Sequence, residues 1–108
     1  MDSFIIKGPS RLEGTVAISG AKNAVLPLMA ASILTDGTCR MDNVPNLRDT
    51  RTMMKLLEIL GASYEFKDGT VTVDATKITS FEAPYDLVRT MRASIYALGP
   101  LVARYGYA

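Results

Sequence analysis

Histidine is absent from the 108 residues, and cysteine occurs once, at Cys39. Without an imidazole there is no Ser-His-Asp triad, and a lone thiol cannot complete the ligand set of a zinc cluster. Cys39 cannot close an internal disulfide either, which suits a reducing compartment. As a nucleophile it lacks a histidine base and a flanking glycine-rich loop, so it reads as an ordinary small hydrophobic residue. An excess of one charge is also missing. Twelve Lys and Arg face 11 Asp and Glu for a net +1, so neither a nucleic-acid backbone nor an anionic bilayer is a dominant partner. Any anion site must therefore be local. Apolar runs are broken by Pro, Gly and charges well short of the ~20 residues that cross a bilayer, and no basic segment with a signal-type apolar core opens the chain. A cytoplasmic protein is the expectation. The 48% hydrophobic and 21% charged residues are ordinary for one globular domain, or a piece of a larger one, and suffice for a core.

The stretch that organises what is present is Ser19-Gly20-Ala21-Lys22-Asn23-Ala24, where an alternating, strand-like run turns into an apolar helix. A helix start offers backbone N–H groups without internal partners and the positive end of the helix dipole, so a lysine there makes an anion site. Gly20 lets the backbone turn tightly and approach a ligand. A structural helix start is the plain alternative for so short a motif.

In chain order, Phe4–Lys7 and Thr15–Ser19 read as strands, the first stopped by Gly8-Pro9-Ser10 and the second alternating polar with apolar residues. From Ala24 to Leu34 every residue except Pro27 and Ser32 is apolar. Such a helix has no wet side and belongs inside the protein. Pro27 favours a start near Asn23 or Ala24, which leaves the proline in the first turn, and Gly37 suits a left-handed cap. Thr38–Val44 reads as a strand closed by Pro45-Asn46. A helix capped by Asp49 or Thr50 runs to Leu60, with Met53, Met54, Leu57 and Leu60 on one side and Arg51, Lys55 and Glu58 on the other. Its methionines read as core filler, and Gly61 as its C-terminal cap. Ser63–Lys67 and Thr70–Asp74 flank Asp68-Gly69, the dipeptide of a type I′ hairpin turn. A last helical run from Tyr85 leads through Arg92 to Leu98, is bent or interrupted by Pro100, and finishes at Gly106.

Laid over the first helix, this last run sets Arg92 on Asn23, Ile95 on Leu26, Val102 on Ile33 and Gly106 on Gly37. The match is one of character, and it suggests an internal repeat whose second copy has just begun. Packed side by side, the copies would bring Lys22, Asn23 and Arg92 to one pocket with two helix starts aimed into it. For Arg92 a surface ion pair with Asp86 or Glu82 is the plain alternative.

At these residues the chain is similar to a known family. Ile18-Ser19-Gly20-Ala21-Lys22-Asn23-Ala24, Asn43-Val44-Pro45, the block Ala83 to Ser94 containing Thr90-Met91-Arg92-Ala93-Ser94, and Ala97 to Arg104 closely resemble the N-terminal part of the enolpyruvyl transferases that act on UDP-N-acetylglucosamine. These enzymes begin bacterial peptidoglycan precursor synthesis. The likeness covers essentially the whole chain. The shikimate-pathway branch has a Ser-Lys-Ser type motif where this chain has Ala21-Lys22-Asn23, so the sugar nucleotide is the favoured acceptor.

The resemblance implies an α/β fold, part of an inside-out α/β barrel of two lobes made from βαβαββ units with buried helices. It implies that residues 1–20 are a strand segment joining the other lobe, and that 21–108 are the first unit and the start of the second. It implies transfer of enolpyruvyl from phosphoenolpyruvate to the 3′-hydroxyl of UDP-N-acetylglucosamine with release of phosphate, without a cofactor or metal. Protonation of the vinyl carbon leaves a cationic centre that the sugar hydroxyl attacks, and the tetrahedral intermediate loses phosphate; such chemistry needs cations and an acid. By the same resemblance Lys22 and Asn23 bind phosphoenolpyruvate and Arg92 contacts the sugar nucleotide. The family's acid, a cysteine or aspartate on a glycine-rich loop, lies beyond Ala108, and Cys39 is in the wrong context to replace it. The chain thus reads as an N-terminal fragment, inactive alone, whose partners are both substrates and the remainder of the enzyme. A non-catalytic nucleotide-sugar-binding module and an inert structural fragment are the alternatives.

Overall fold

The computed structural model describes residues 1–108. Regular structure begins at α1 (Lys22–Ala31), which runs on as a 3₁₀ turn over Ser32–Leu34, and continues with β1 (Thr38–Met41), α2 (Arg48–Leu60), β2 (Ser63–Lys67) and β3 (Thr70–Asp74). Then follow α3 (Tyr85–Val88), a 3₁₀ segment over Arg92–Ala97 and α4 (Leu98–Tyr105). The strands make one antiparallel sheet in the order β1-β3-β2.

The hairpin follows from local chemistry alone. Asp68 and Gly69 both take positive φ, 50° and 74°, as a type I′ turn requires. This sets Phe66 opposite Val71 and Tyr64 opposite Val73, while β1 brings Met41 and Cys39 to the same two valines from the other side. Val71 and Val73 are completely buried, and the alternate residues of β3 are not. One face of the sheet is thereby dry, and α2 covers it with Met53, Met54, Leu56, Leu57 and Leu60. Arg51, Lys55 and Glu58 stand in water, as the amphipathic pattern predicts. Gly61 ends α2 at φ 112°, where a Cβ would lie 2.5 Å from the Lys77 carbonyl. The start of α2 differs from expectation: Leu47 is the cap residue. Thr50 lies inside the first turn, accepting the Leu47 N–H at 3.0 Å and reaching the Pro45 and Leu47 carbonyls at 2.8 Å with its own hydroxyl.

Helix α1 departs from the sequence reading in three ways. It starts at Lys22, so Pro27 falls inside the helix, where it cannot donate to the Asn23 carbonyl. The α-helical part closes at Ala31 through the 3₁₀ turn, with the Ser32 hydroxyl bonded to Met29 O, and Gly37 has no left-handed conformation. And the helix is not enclosed all round. Val25, Leu26, Met29, Ala30 and Ile33 are buried, but Leu28 is 57% exposed. Apolar composition sets what a helix face prefers, while enclosure requires a neighbour on every side.

Two other expectations fail for the same kind of reason. Neither Phe4–Lys7 nor Thr15–Ser19 forms a strand. Phe4, Ile5, Ile6, Val16 and Ile18 are 85–97% exposed, because a strand needs a second backbone to hydrogen-bond and none lies alongside. The radius of gyration is accordingly 17.3 Å, against about 13 Å for a compact chain of this length. The last helical run is interrupted, as Pro100 leads one to expect, but ahead of the proline: one α turn, a 3₁₀ segment and α4 make it up. The break before Leu98 places Pro100 in the first turn of α4, where no intrahelical donor is needed.

Candidate functional site

The site is built where the chain enters α1. Gly20 runs against the loop between β1 and α2 so closely that a Cβ there would lie 1.7 Å from the Asn43 carbonyl oxygen. Only glycine fits this crossing. Ala21 then caps α1 without a side-chain acceptor, and the Ala24 and Val25 amides turn back to its carbonyl at 3.1 and 3.0 Å. The amides of Lys22 and Asn23 find no partner in the chain and remain free donors at the positive end of the helix.

Lys22 Nζ sits 2.9 Å from Asp49 Oδ2, in the first turn of α2. Arg92 opens the 3₁₀ segment that packs beside α1, and it makes no ion pair. Asp86 is taken instead by Arg89, at 3.5 Å. Lys22, Asn23, Asp49 and Arg92 line one cleft of about 440 Å³, together with Leu26, Met91, Ile95 and Tyr96. The three residues singled out from the sequence thus share a wall. One helix start faces the cleft, not two, because Arg92 begins a 3₁₀ turn where the repeat predicted an α-helix.

With two cations, one carboxylate and two free amides, the cleft can hold a small anion. Its neighbour cannot: a second cavity of about 340 Å³ is lined by 9 hydrophobic residues out of 11, and Arg92, at the wall shared by both, is its only charged side chain. Cys39 lies outside both cavities, its sulfur 3.3 Å from the Thr35 hydroxyl.

Sequence reasoning missed two residues. Asp49 was expected only as a helix cap, and no periodicity links it to Lys22. Arg104 is the other. Its guanidinium donates to the carbonyls of Ile33, Thr35 and Ala75 at 2.8, 2.8 and 2.9 Å and reaches Asp36 at 3.2 Å. It thereby bolts α4 to the far end of α1, so that the two segments lie side by side with matching ends together. The proposed overlay contained this signal, since it aligns Arg104 with Thr35, its hydrogen-bond partner.

Comparison with known proteins places this arrangement. The family model for EPSP synthase (3-phosphoshikimate 1-carboxyvinyltransferase) matches residues 6–108. UDP-N-acetylglucosamine 1-carboxyvinyltransferase of Desulfosudis oleivorans is 57% identical over 108 residues, 100% of this chain and 26% of that protein. The protein of the same name from Pectobacterium carotovorum is 58% identical over 106 residues, 98% of this chain and 25% of the relative. The crystal structure of the enolpyruvyl transferase NikO from Streptomyces tendae superposes with a TM-score of 0.78 at 33% identity, covering 92% of this chain and 23% of that one. The chain therefore spans about a quarter of the length of the relatives it matches. Its fold is part of the α/β enolpyruvyl transferase fold, and the chain belongs to the EPSP synthase (carboxyvinyl, or enolpyruvyl, transferase) family.

Proposed function

We propose that these 108 residues form the N-terminal part of a transferase that moves enolpyruvyl from phosphoenolpyruvate to the 3′-hydroxyl of UDP-N-acetylglucosamine, releasing phosphate on the way to peptidoglycan precursors. The observation that carries this reading is the convergence of Lys22, Asn23 and Arg92 on one cleft at the start of α1. In this reading Lys22 and the adjacent amides take the phosphate or carboxylate of phosphoenolpyruvate, Asn23 supports it, and Arg92 meets the sugar nucleotide. The relatives' names supply the choice of acceptor. Residues 1–20 then pair with a sheet elsewhere in the longer enzyme, which would cover the apolar side chains now in water. No helix is long and apolar enough to cross a membrane. A cytoplasmic location goes with this reading.

The cleft contains no thiol and its one carboxylate is paired with Lys22; in this reading the acid that protonates the vinyl carbon comes from the remainder of the enzyme, and the isolated chain is expected not to turn over. Phosphate release with both substrates tests this, and turnover by the isolated chain would count against it. Lys22→Ala tests the site. It should leave the circular dichroism unchanged while weakening phosphoenolpyruvate binding in calorimetry; an unfolded variant would contradict a binding role, as the ammonium supports no core contact.

A further inference from the structure

We propose that Asp49 is the exchangeable counter-ion of Lys22: it holds the ammonium at the wall of the cleft, and an arriving phosphate or carboxylate group displaces it. This rests on the reading of Lys22 as an anion-binding residue. Three observations carry it. The Lys22–Asp49 pair, at 2.9 Å, is the one ion pair within the cleft, where Arg92 has no acidic partner. Both side chains keep contact with water, 44% and 29% exposed, so exchanging one anion for another strands no buried charge. Asp49 also lies in the first turn of α2, where the helix field continues to favour its carboxylate after Lys22 has left it.

The geometry fixes the lysine before any ligand arrives. Gly20 pins the entry of α1 onto the Asn43 carbonyl, and the loop it touches runs directly into the turn that carries Asp49. Backbone and side chain are thus tied to one platform, which limits the rotamers a long lysine would otherwise explore. The arrangement has a consequence for affinity. An anion must compete with Asp49 for the same ammonium, so the carboxylate lowers affinity in return for a defined lysine position.

The test is a titration of the ¹⁵N-labelled chain with inorganic phosphate at low ionic strength, following the amides of Lys22, Asn23 and Arg92. Asp49→Asn should tighten phosphate binding by about 1.5- to fivefold, the range set by the strength of a solvated ion pair. In a Lys22→Met background the same substitution should gain clearly less, since there is no ammonium left to compete for. Asp49→Ser, which also suits a first helical turn, repeats the comparison if the amide variant loses helicity. Equal affinities for the native chain and Asp49→Asn, weaker binding by Asp49→Asn, or an equal gain in the Lys22→Met background would each overturn the counter-ion role while leaving the site reading intact. Absence of phosphate shifts at all three amides in every variant would instead overturn the site reading, and this inference with it.

Discussion

Gly61→Ala is the substitution for which the structure gives the most definite number. Gly61 closes α2 at φ 112°, where a side chain is strained whatever the space, and a Cβ there would lie 2.5 Å from the Lys77 carbonyl oxygen and 2.8 Å from the Thr79 amide nitrogen and hydroxyl. The strained conformation costs about 1–2 kcal/mol. Relieving the overlap adds about 1–3 kcal/mol. The obstacles are mainly backbone, and that backbone is fixed by the Thr79 and Ser80 amides donating to the Leu60 carbonyl at 2.9 and 3.1 Å, so it cannot give cheaply. The sum is a loss of about 2–5 kcal/mol, or roughly 10–20 °C in melting temperature for a chain of this size. Gly37→Ala is the matched control, because its φ is not positive and nothing lies within 4 Å of the added carbon. It should stay within about 0.5 kcal/mol of the native chain. Urea unfolding followed by circular dichroism measures both. A neutral Gly61→Ala, or a Gly37→Ala loss of equal size, would refute the reasoning.

Gly20→Ala should force α1 away from Asn43, weakening phosphoenolpyruvate binding more than it lowers stability, since the residues before it are already in solvent; calorimetry beside urea unfolding checks the order. Arg104→Met should cost about 2–3 kcal/mol by leaving three carbonyls without their charged donor, and Arg104→Lys should recover only part of it because the fork is lost; unfolding of both variants measures this. On the acid side, the Thr70 hydroxyl and Arg40 hold the Asp42 carboxyl below its ordinary 3.8, and the Thr76 hydroxyl and amide do the same for Asp74. These carboxyls bind fewer protons folded than unfolded, so their stabilisation is complete above the ordinary value and disappears as pH falls through the lowered one. Thr70→Val should therefore flatten the loss of stability below about pH 4, measured as unfolding free energy against pH.

The α2 pattern and the Asp68-Gly69 turn were settled by neighbours in sequence: period 3.6 on one, positive φ at two adjacent residues on the other. The turn and the two faces of α2 appear where the sequence sets them, because their chemistry lies within a few residues, while the start of α2 moves to a Leu47 cap. The family was legible too, in the blocks around Lys22 and Arg92. Where α1 begins, how much of it is covered, and whether residues 1–20 make strands were not legible, since each depends on a surface contributed from elsewhere. A strand-like run without a backbone beside it stays in water, and an apolar helix is buried only where something packs on it. The overlay of the two apolar runs anticipated Lys22 and Arg92 in one cleft but not Asp49, and the packing that builds the cleft is tertiary. It is produced by the Gly20 crossing at one end of α1 and the Arg104 bolt at the other, contacts between residues too far apart in the chain for any local pattern to record.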